Sequence, residues 1–271
     1  MILPSRALRY AALAAFGLLA ACSSGDEEVP YVERPAEQIY NEAMDDMLAR
    51  DFFYATSQFE EVERQHPYSV WATKAQLMAA YSYYQQNKYD DAIGALNRFI
   101  DLNPANQDIA YAYYLKALCY YEQIVDVGRD QQVTQNALTA LDDVVKRFPN
   151  SKYSRDAQLK IDLAHDHLAG KEMEIGRYYL KRGFHLAAIN RFRKVVDEYQ
   201  TTTHVPEALH RLTEAYYALG LTAEAEKTAA VLGHNFPGSD WYQDSYANVA
   251  GGDYAEGAFQ KSWFRRTLDI F

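Results

Sequence analysis

The side chains able to perform catalysis or to bind a metal ion are scattered along this sequence rather than grouped. His165 and His167 are two residues apart, so on a helix they point to different sides and cannot share a zinc ion as the pair in an HExxH motif does. Adjacent carboxylates such as Asp90 and Asp91 diverge by about 100° around a helix, which is typical of a solvated face. Cys119 has no His close to it in the sequence, and we expect a buried structural thiol. No GxGxxG, GxxxxGKS, GxxxxGKT or GxSxG motif is present, so we predict a non-enzymatic protein with neither a metal site nor a bound cofactor.

Cys22 is the residue with the clearest covalent chemistry. It ends the run Leu19-Ala20-Ala21-Cys22, which resembles the lipobox of bacterial lipoproteins, where small residues precede a Cys that is thioether-linked to diacylglycerol. Residues 1–21 have the other features of a secretion signal, because Arg6 and Arg9 precede an uncharged stretch that is shorter than the ~20 residues of a spanning helix. We therefore expect residues 1–21 to be a removed signal peptide and Cys22 to carry a lipid. An ordinary signal peptide cleaved beside an incidental Cys is the alternative.

Residues 22–35 connect this predicted anchor to the rest of the chain. They are polar and acidic and include Pro30 and Pro35, a composition that favours a flexible tether. Each buried acyl methylene contributes about 0.8 kcal/mol, so lipidation anchors a protein without a spanning helix. Ser23 rather than Asp follows Cys22, which by resemblance to the sorting rules of enteric bacteria indicates the periplasmic face of the outer membrane.

The composition excludes several classes of protein. Of the 271 residues, 49% are apolar and 24% are charged, which is typical of a globular chain. The formal net charge of −10 argues against a nucleic-acid partner, because phosphate backbones are bound by basic surfaces. Two cysteines cannot build a disulfide framework.

The elements that must position any functional side chains are helices arranged in repeats. From Ala36 onward, apolar residues recur at helical spacing, and amphipathic stretches close at Pro67, Pro104, Pro149 and Pro237. The first two intervals are 37 and 45 residues and the last is 88, which leaves room for two units near the 34-residue tetratricopeptide (TPR) length. We therefore predict an all-α fold, a right-handed superhelix of about five TPR-like helical hairpins plus a C-terminal extension.

The predicted boundaries follow from matching each unit to the repeat consensus. Units 1 to 3 occupy residues 36–167, units 4 and 5 occupy residues 168–240, and residues 241–271 form an extension that we expect to be helical. In unit 4, Gly176 and Phe192 fall at the small and aromatic places of the consensus. Small residues let the two antiparallel helices approach, and aromatic residues fill the space between hairpins.

The first helices of units 1 to 3 carry an unusual number of aromatic side chains at the places that face the concave groove of a TPR array. These places hold Tyr40, Met44, Met47, Leu77, Tyr81, Tyr84, Tyr111, Tyr114, Leu118 and Tyr121. Tyr and Met offer a large contact area at low cost in side-chain entropy, which suits an extended peptide with apolar or aromatic anchors. The alternative is that these rings only pack between neighbouring helices.

The matching places of units 4 and 5 differ in character. They hold Met173, Arg177, Leu180, His210, Glu214 and Tyr217. From this mixture we predict a more charged surface suited to a folded partner.

The lipobox, the acidic tether and the five repeats together resemble the BamD family, the lipoproteins of the machine that inserts β-barrels into the outer membrane. The resemblance covers nearly the whole mature chain. It is carried by Glu27-Glu28-Val29-Pro30, Arg98-Phe99-Ile100 with Leu102-Asn103-Pro104, Pro149-Asn150-Ser151 with Tyr153, Tyr178-Tyr179 with Arg182-Gly183 and Asn190-Arg191, and Ala225-Glu226-Lys227.

The resemblance implies a function and partners. It implies that the N-terminal units bind the C-terminal targeting segment of unfolded outer-membrane proteins, which typically ends in an aromatic residue. It also implies that the C-terminal units dock the POTRA region of the barrel-forming insertase subunit, with Arg191, Arg182 and Asn190 near that contact. Other lipoproteins of the same machine are further expected partners.

Two other functions remain open from the residues alone. One is a TPR lipoprotein that coordinates cell-division or peptidoglycan enzymes. The other is a periplasmic hydrolase whose site the sequence motifs do not reveal; it requires a polar pocket with convergent titratable groups.

Overall fold

The computed structural model describes residues 33–124 and 131–250. Cys22, the signal peptide, most of the tether and residues 251–271 therefore lie outside the described residues. Within the described ranges the chain forms eleven α-helices and no strand: α1 (Ala36–Leu48), α2 (Phe52–Gln65), α3 (Val70–Gln85), α4 (Tyr89–Leu102), α5 (Ile109–Tyr121), α6 (Gln132–Arg147), α7 (Lys152–Lys181), α8 (His185–Glu198), α9 (Val205–Ala218), α10 (Thr222–Asn235) and α11 (Asp240–Ala250).

The helices pack as a consecutive array of hairpins. Each helix contacts the next one along the chain, and α1 also contacts α3, α3 contacts α5, and α5 contacts α7. Contacts between alternate helices place α1, α3, α5 and α7 side by side in one wall, as the first helices of successive TPR units are. The prediction of an all-α, TPR-like array of hairpins is confirmed.

The consensus spacing has the expected physical effect in unit 4. A Cβ atom added to Gly176 would lie 2.4 Å from Cε1 of Phe192, so only glycine allows α7 and α8 to pack at this distance. Phe192 itself is fully buried. The places of the repeat that were assigned from sequence are therefore in contact across this hairpin.

Four hairpin turns repeat the same backbone geometry. The residue with a left-handed conformation is Arg50, Asn87, Gly183 or Gly220, with φ of 64°, 58°, 77° and 73°. In each turn the amide of the following residue donates to the carbonyl five residues before it, at 2.8–3.0 Å. The four bonds run from the amides of Asp51, Lys88, Phe184 and Leu221 to the carbonyls of Asp46, Tyr83, Tyr179 and Tyr216. This bond satisfies a carbonyl that the helix end leaves free. The turns of units 1, 2, 4 and 5 are therefore in the same phase.

Helix α7 joins the two halves of the array. It is 30 residues long, or about 45 Å at 1.5 Å per residue. Its N-terminal half packs on α5 and α6, and its C-terminal half forms the hairpin with α8. The boundary proposed between residues 167 and 168 falls inside this continuous helix.

None of the helices in the described ranges combines the length and the apolar character needed to cross a bilayer. Their apolar residues pack instead into four clusters, distributed from unit 1 to unit 5. Each cluster is built from neighbouring hairpins, as expected for an array in which each repeat is stabilised by its neighbours.

Candidate peptide-binding groove

The ten residues predicted to face a groove all lie on α1, α3 and α5. Leu77 is buried, and the other nine are partly exposed. Each of the nine also packs against a cluster of buried residues. These side chains therefore pack between helices and also remain accessible to water. Their binding of a peptide stays a prediction.

In unit 1, Tyr40 lies between two other rings. Its centroid is 5.5 Å from that of Phe59 and 5.0 Å from that of Trp71, which is in the first turn of α3. Burial raises the pKa of the Tyr40 hydroxyl above its usual value. The ring is thus held on one side by the core and on the other by the next unit.

In unit 3, the groove is built from two consecutive wall helices. Tyr114 of α5 stacks on Tyr153 of α7 at 5.0 Å with an interplanar angle of 23°, and Tyr111 lies 5.5 Å from the same ring. The Tyr114 hydroxyl donates to Oδ2 of Asp156 at 2.5 Å. We call Tyr111, Tyr114 and Tyr153 the three-ring cluster.

The phenol groups of units 2 and 3 lie close to one another. Burial is the largest cause of the raised pKa of Tyr111, and the neighbouring hydroxyls of Tyr81, Tyr153 and Tyr84 raise it further. Burial likewise raises the pKa of Tyr84 to about 12. The hydroxyls of Tyr84 and Tyr111 are therefore neutral at physiological pH. This part of the wall presents uncharged aromatic surface with hydroxyl groups that can form hydrogen bonds.

Lysine side chains lie over three rings of this wall. The ammonium of Lys160 is 4.9 Å from the ring centroid of Tyr121 and 3.5 Å from Oδ2 of Asp156. Lys152 lies 5.1 Å over Tyr153, and Lys74 lies 4.8 Å over Trp71. The wall therefore combines neutral rings with positive charge, although the chain as a whole is acidic.

Sequence reasoning missed Trp71 and Tyr153 as groove residues. Both belong to the pattern Pro-x-Ser-x-aromatic, which occurs at 67–71, at 149–153 and again at 237–241. In each case the aromatic residue lies in the first turn of a helix and packs against the first helix of the preceding unit. Trp71 packs on Tyr40, Tyr153 on Tyr114, and Trp241 on His210 at 5.2 Å. The recurrence of this aromatic position was the signal that could have identified them.

The three residues predicted to contact the insertase do not form one cluster. Arg182 follows α7 at the hairpin turn and is exposed, with its guanidinium 4.7 Å over the ring of Tyr178. Asn190 is exposed on α8. Arg191 lies on α8, about two helical turns after the hairpin turn that contains Arg182. Its side chain points toward α7.

Arg191 takes part in an ion cluster between α7 and α8. It donates to Oε2 of Glu172 at 2.9 Å, and Lys194 donates to Oε1 of the same carboxylate at 2.7 Å. Burial opposes ionisation of Glu172, but the hydrogen bonds from Lys194 and Arg191 outweigh it and hold its pKa below the usual value. In this structure Arg191 therefore stabilises the hairpin of unit 4.

The prediction of a charged surface at the matching places of units 4 and 5 is wrong for three of its residues. Met173 and His210 are fully buried, and Glu214 is 4% exposed. The reason is that α11 packs on α9 and α10 and covers His210 and Glu214. Met173 instead lies in the core cluster that α7 forms with α8 and α9. Arg177 stays exposed and pairs with Glu207 at 2.9 Å, and Leu180 and Tyr217 are partly exposed.

Beneath α11, His210 and Glu214 form a buried polar network with Arg211 and Ser245. Nδ1 of His210 lies 2.7 Å from the Ser245 hydroxyl, and Nε2 lies 3.2 Å from Oε1 of Glu214. Arg211 donates to the other oxygen of Glu214 at 2.8 Å and stacks 5.2 Å over the Trp241 ring. Burial opposes ionisation of Glu214, but His210 and Arg211 lower its pKa. The network fixes α11 to α9.

A cleft of about 480 Å³ lies beside α7 and is lined by Leu163, Asp166, His167, Gly170, Glu174, Arg177 and His204. Oδ1 of Asp166 accepts hydrogen bonds from the amide and the hydroxyl of Thr203 at 2.9 and 2.8 Å. Asp166 thus holds the segment that leads into α9. Among the described residues, no three His, Cys, Asp or Glu side chains are grouped as metal ligands.

Comparisons with known proteins show the family of this chain. The family described as YfiO, outer membrane lipoprotein, matches residues 32–232. The outer membrane protein assembly factor BamD of Caulobacter vibrioides is 55% identical over 216 residues, which covers 80% of this chain and 71% of that one. The protein of the same name from Rickettsia prowazekii is 47% identical over 238 residues, which covers 88% and 95%.

Among solved structures, a thermophilic TPR protein of Thermus thermophilus is similar with a TM-score of 0.38 and 17% identity, over 80% of this chain and 99% of that one. The match of the family to 201 of the 271 residues and the identity to the two relatives decide the classification. The chain belongs to the BamD family of outer membrane protein assembly factors.

Proposed function

We propose that this chain is a non-enzymatic scaffold of the outer membrane that binds the C-terminal targeting segments of unfolded outer-membrane proteins and docks the barrel-forming insertase. The observation that carries this proposal is the wall of α1, α3, α5 and α7, on which nine predicted groove residues are partly exposed. Family membership supports the role in assembly, since the relatives are named outer membrane protein assembly factors.

The chemistry of the wall suits a segment that ends in an aromatic residue. Aromatic pairs contribute about 0.5–1.5 kcal/mol beyond the area that they bury. The rings are already held by core contacts, so little side-chain entropy is lost when a ligand binds. The phenol hydroxyls can donate to the carbonyl groups of an extended peptide, which has no partners for its own backbone.

The C-terminal units offer a different kind of surface, on which we place the insertase contact. Tyr178, Phe184 and Leu186 are exposed by 52%, 58% and 68% around the hairpin turn of unit 4. Arg182 and Asn190 are exposed on the same hairpin. Apolar side chains rimmed by polar ones are typical of a docking surface for a folded protein. Arg191 supports this surface indirectly, by holding α8 against α7.

The lipid on Cys22 would attach this scaffold to the periplasmic face of the outer membrane. An acyl anchor requires no spanning helix. The tether up to residue 35 would let the array approach both the insertase and its substrates. Other lipoproteins of the machine are further partners in this proposal.

A peptide titration tests the substrate role. Fluorescence anisotropy would follow a labelled peptide ending in Phe as it binds the full-length chain, the double variant Tyr81→Ala with Tyr114→Ala, and a control with Tyr54→Ala and Tyr68→Ala. We expect affinity to fall about tenfold or more in the first variant. The control removes two tyrosines that are 60% and 100% exposed and lie outside the wall, so it should bind normally.

Circular dichroism must show equal helix content in the three proteins. Equal affinity of the groove variant and the control would contradict the aromatic groove.

Crosslinking followed by identification of the partners tests the other half of the proposal. Recovery of cell-division or peptidoglycan enzymes without any barrel-forming subunit would favour the alternative TPR lipoprotein.

A further inference from the structure

Helix α7 carries a polar and aromatic stripe on the side that faces the groove. Tyr153, Asp156 and Lys160 are spaced by three and four residues, so they share one face of the helix. Each of them contacts a predicted groove residue of α5: Tyr153 stacks on Tyr114, Asp156 accepts from Tyr114, and Lys160 lies over Tyr121. The stripe therefore belongs to the groove, although the sequence analysis assigned none of its residues to it.

The distances in this stripe place a cation next to the three-ring cluster. The ammonium of Lys160 lies 3.5 Å from Oδ2 of Asp156, and the Tyr114 hydroxyl lies 2.5 Å from the same oxygen. The ammonium and the hydroxyl are therefore at most about 6 Å apart. The side chain of Lys160 is 22% exposed, so it is partly desolvated and still open to a ligand.

A site of this kind fits one chemical group in particular. A ligand suited to this site has an aromatic ring that packs on the three-ring cluster. It also has an anionic group, close to that ring, that Lys160 attracts. The terminal residue of a polypeptide that ends in Phe carries both features, a ring and a free α-carboxylate. An internal Phe carries only the ring, so the cation would distinguish a chain end from an internal segment.

We propose that Lys160 binds the α-carboxylate of the terminal aromatic residue of a targeting segment, while the ring of that residue packs on Tyr111, Tyr114 and Tyr153. This inference rests on the proposed function and deepens it by naming the terminus as the recognised group. Asp156 keeps one hydrogen-bond donor when Lys160 binds the ligand, because the Tyr114 hydroxyl continues to donate to it. The positive charge also offsets the repulsion between an anionic terminus and an acidic chain.

Two other lysines allow a matched comparison. Lys74 lies 4.8 Å over the Trp71 ring, which is nearly the same contact as that of Lys160 with Tyr121, but it belongs to α3 in unit 2. Lys152 lies 5.1 Å over Tyr153 in the first turn of α7 and is exposed. Neither is paired with Asp156 in the structure.

The test uses two peptides of identical sequence ending in Phe, one with a free carboxylate and one with a C-terminal amide. Both are titrated against the full-length chain, Lys160→Met, Lys160→Arg, Lys152→Met and Lys74→Met. On the unaltered chain we expect the amide to bind about tenfold more weakly, because it loses a charge-assisted hydrogen bond. Lys160→Met should bind both peptides with the affinity of the amide, whereas Lys160→Arg, Lys152→Met and Lys74→Met should keep the preference.

The outcomes separate this inference from the proposed function. Equal binding of the two peptides by the unaltered chain would overturn the inference and leave the proposed function intact. A preference that survives in Lys160→Met, or that disappears in Lys152→Met, would also overturn it. If neither peptide binds the unaltered chain, the proposed function itself fails. Thermal melting of Lys160→Met checks that the variant is folded.

Discussion

The two ends of the helical array carry an aromatic residue at the same position of the repeat. The residues that these aromatic rings contact differ in their exposure to water. At the N-terminal end, Tyr153 lies against Tyr114 and both rings remain partly exposed. At the C-terminal end, Trp241 lies against His210, which is fully buried. The difference arises because α11 brings Ser245 onto His210 and packs on both α9 and α10. The register of the repeat determines which side chains meet, and the docking of the next helix determines whether water reaches them.

The same two regions also differ in charge. The exposed wall presents neutral phenols such as Tyr84, whose pKa burial raises to about 12. The covered end buries a charged pair, Arg211 and Glu214, with exposures of 6% and 4%. Charged groups that are paired and buried stabilise a fixed arrangement, whereas partly exposed rings are available to a ligand. We therefore expect changes at the C-terminal end to alter stability and changes in the wall to alter binding.

The largest effect is expected from Glu214→Ala, which removes the carboxylate 2.8 Å from buried Arg211 and leaves Glu207, at 3.6 Å, as its remaining ion-pair partner. Removing one partner of a buried ion pair costs about 3–5 kcal/mol. Hydrogen exchange followed by mass spectrometry should show faster exchange in α9, α10 and α11, with α1 to α5 unchanged. Glu224→Ala is the matched control, since Glu224 pairs with Lys227 on the surface, and it should leave exchange unaltered. Uniform loss of protection along the array would mean that the two ends are not energetically separate.

The next effect concerns the close approach of α7 and α8. Gly176→Ala should destabilise the chain by about 1–3 kcal/mol, because the new Cβ overlaps the buried Phe192 ring. Gly94→Ala is the control: no atom lies within 4 Å of its Cβ position, so it should stabilise α4 by about 0.5–1 kcal/mol. Urea unfolding measures both changes. A Gly176→Ala variant as stable as the unaltered chain would contradict the close packing of α7 on α8 at this position.

A pair of substitutions at equivalent positions tests the comparison itself. Tyr153→Ala should weaken binding of a peptide ending in Phe by roughly three- to tenfold, because one ring of the three-ring cluster is lost. Trp241→Ala should lower the melting temperature through loss of contacts with His210 and Arg211 while binding the peptide normally. Equal losses of affinity in the two variants would remove the distinction between an exposed wall and a covered end.

The smallest expected effect on stability concerns the hairpin turns, which differ in the residue that adopts a positive φ. The turns of units 4 and 5 use Gly183 and Gly220 at positive φ, whereas that of unit 1 uses Arg50 at 64°. Arg50→Gly should stabilise the chain by about 0.5 kcal/mol, since relief of left-handed strain exceeds the added entropy of the unfolded state. Ala49→Gly, at an ordinary φ of −72°, should instead destabilise it. Thermal melting compares the two, and the opposite order would show that Arg50 is unstrained.

The repeat itself could be predicted from the sequence because its signals are local. Proline positions and the small and aromatic places gave the phase of the hairpins, and the contact of Gly176 with Phe192 confirms that phase in unit 4. The groove residues of α1, α3 and α5 followed from the same phase. A left-handed residue also recurs at one place of four units, in two of them as Arg50 or Asn87 rather than glycine.

The remaining features depend on contacts between distant parts of the chain. The burial of His210 and Glu214 is set by the docking of α11, which no local pattern reports. The pairing of Arg191 with Glu172 joins residues 19 positions apart and depends on the packing of α7 on α8. Tyr153 lies in the groove because α7 begins about five helical turns before the predicted start of unit 4, and this N-terminal part of α7 packs alongside α5.

Photo-crosslinking tests the central claim most directly. A peptide whose terminal Phe is replaced by benzoylphenylalanine, with its carboxylate free, would be irradiated with the full-length chain and the modified residues mapped by mass spectrometry. We predict that modification concentrates on α5 and the N-terminal half of α7, around Tyr111, Tyr114 and Tyr153. Modification concentrated on α9 and α11, or spread evenly over the array, would contradict the assignment of substrate binding to the exposed aromatic wall.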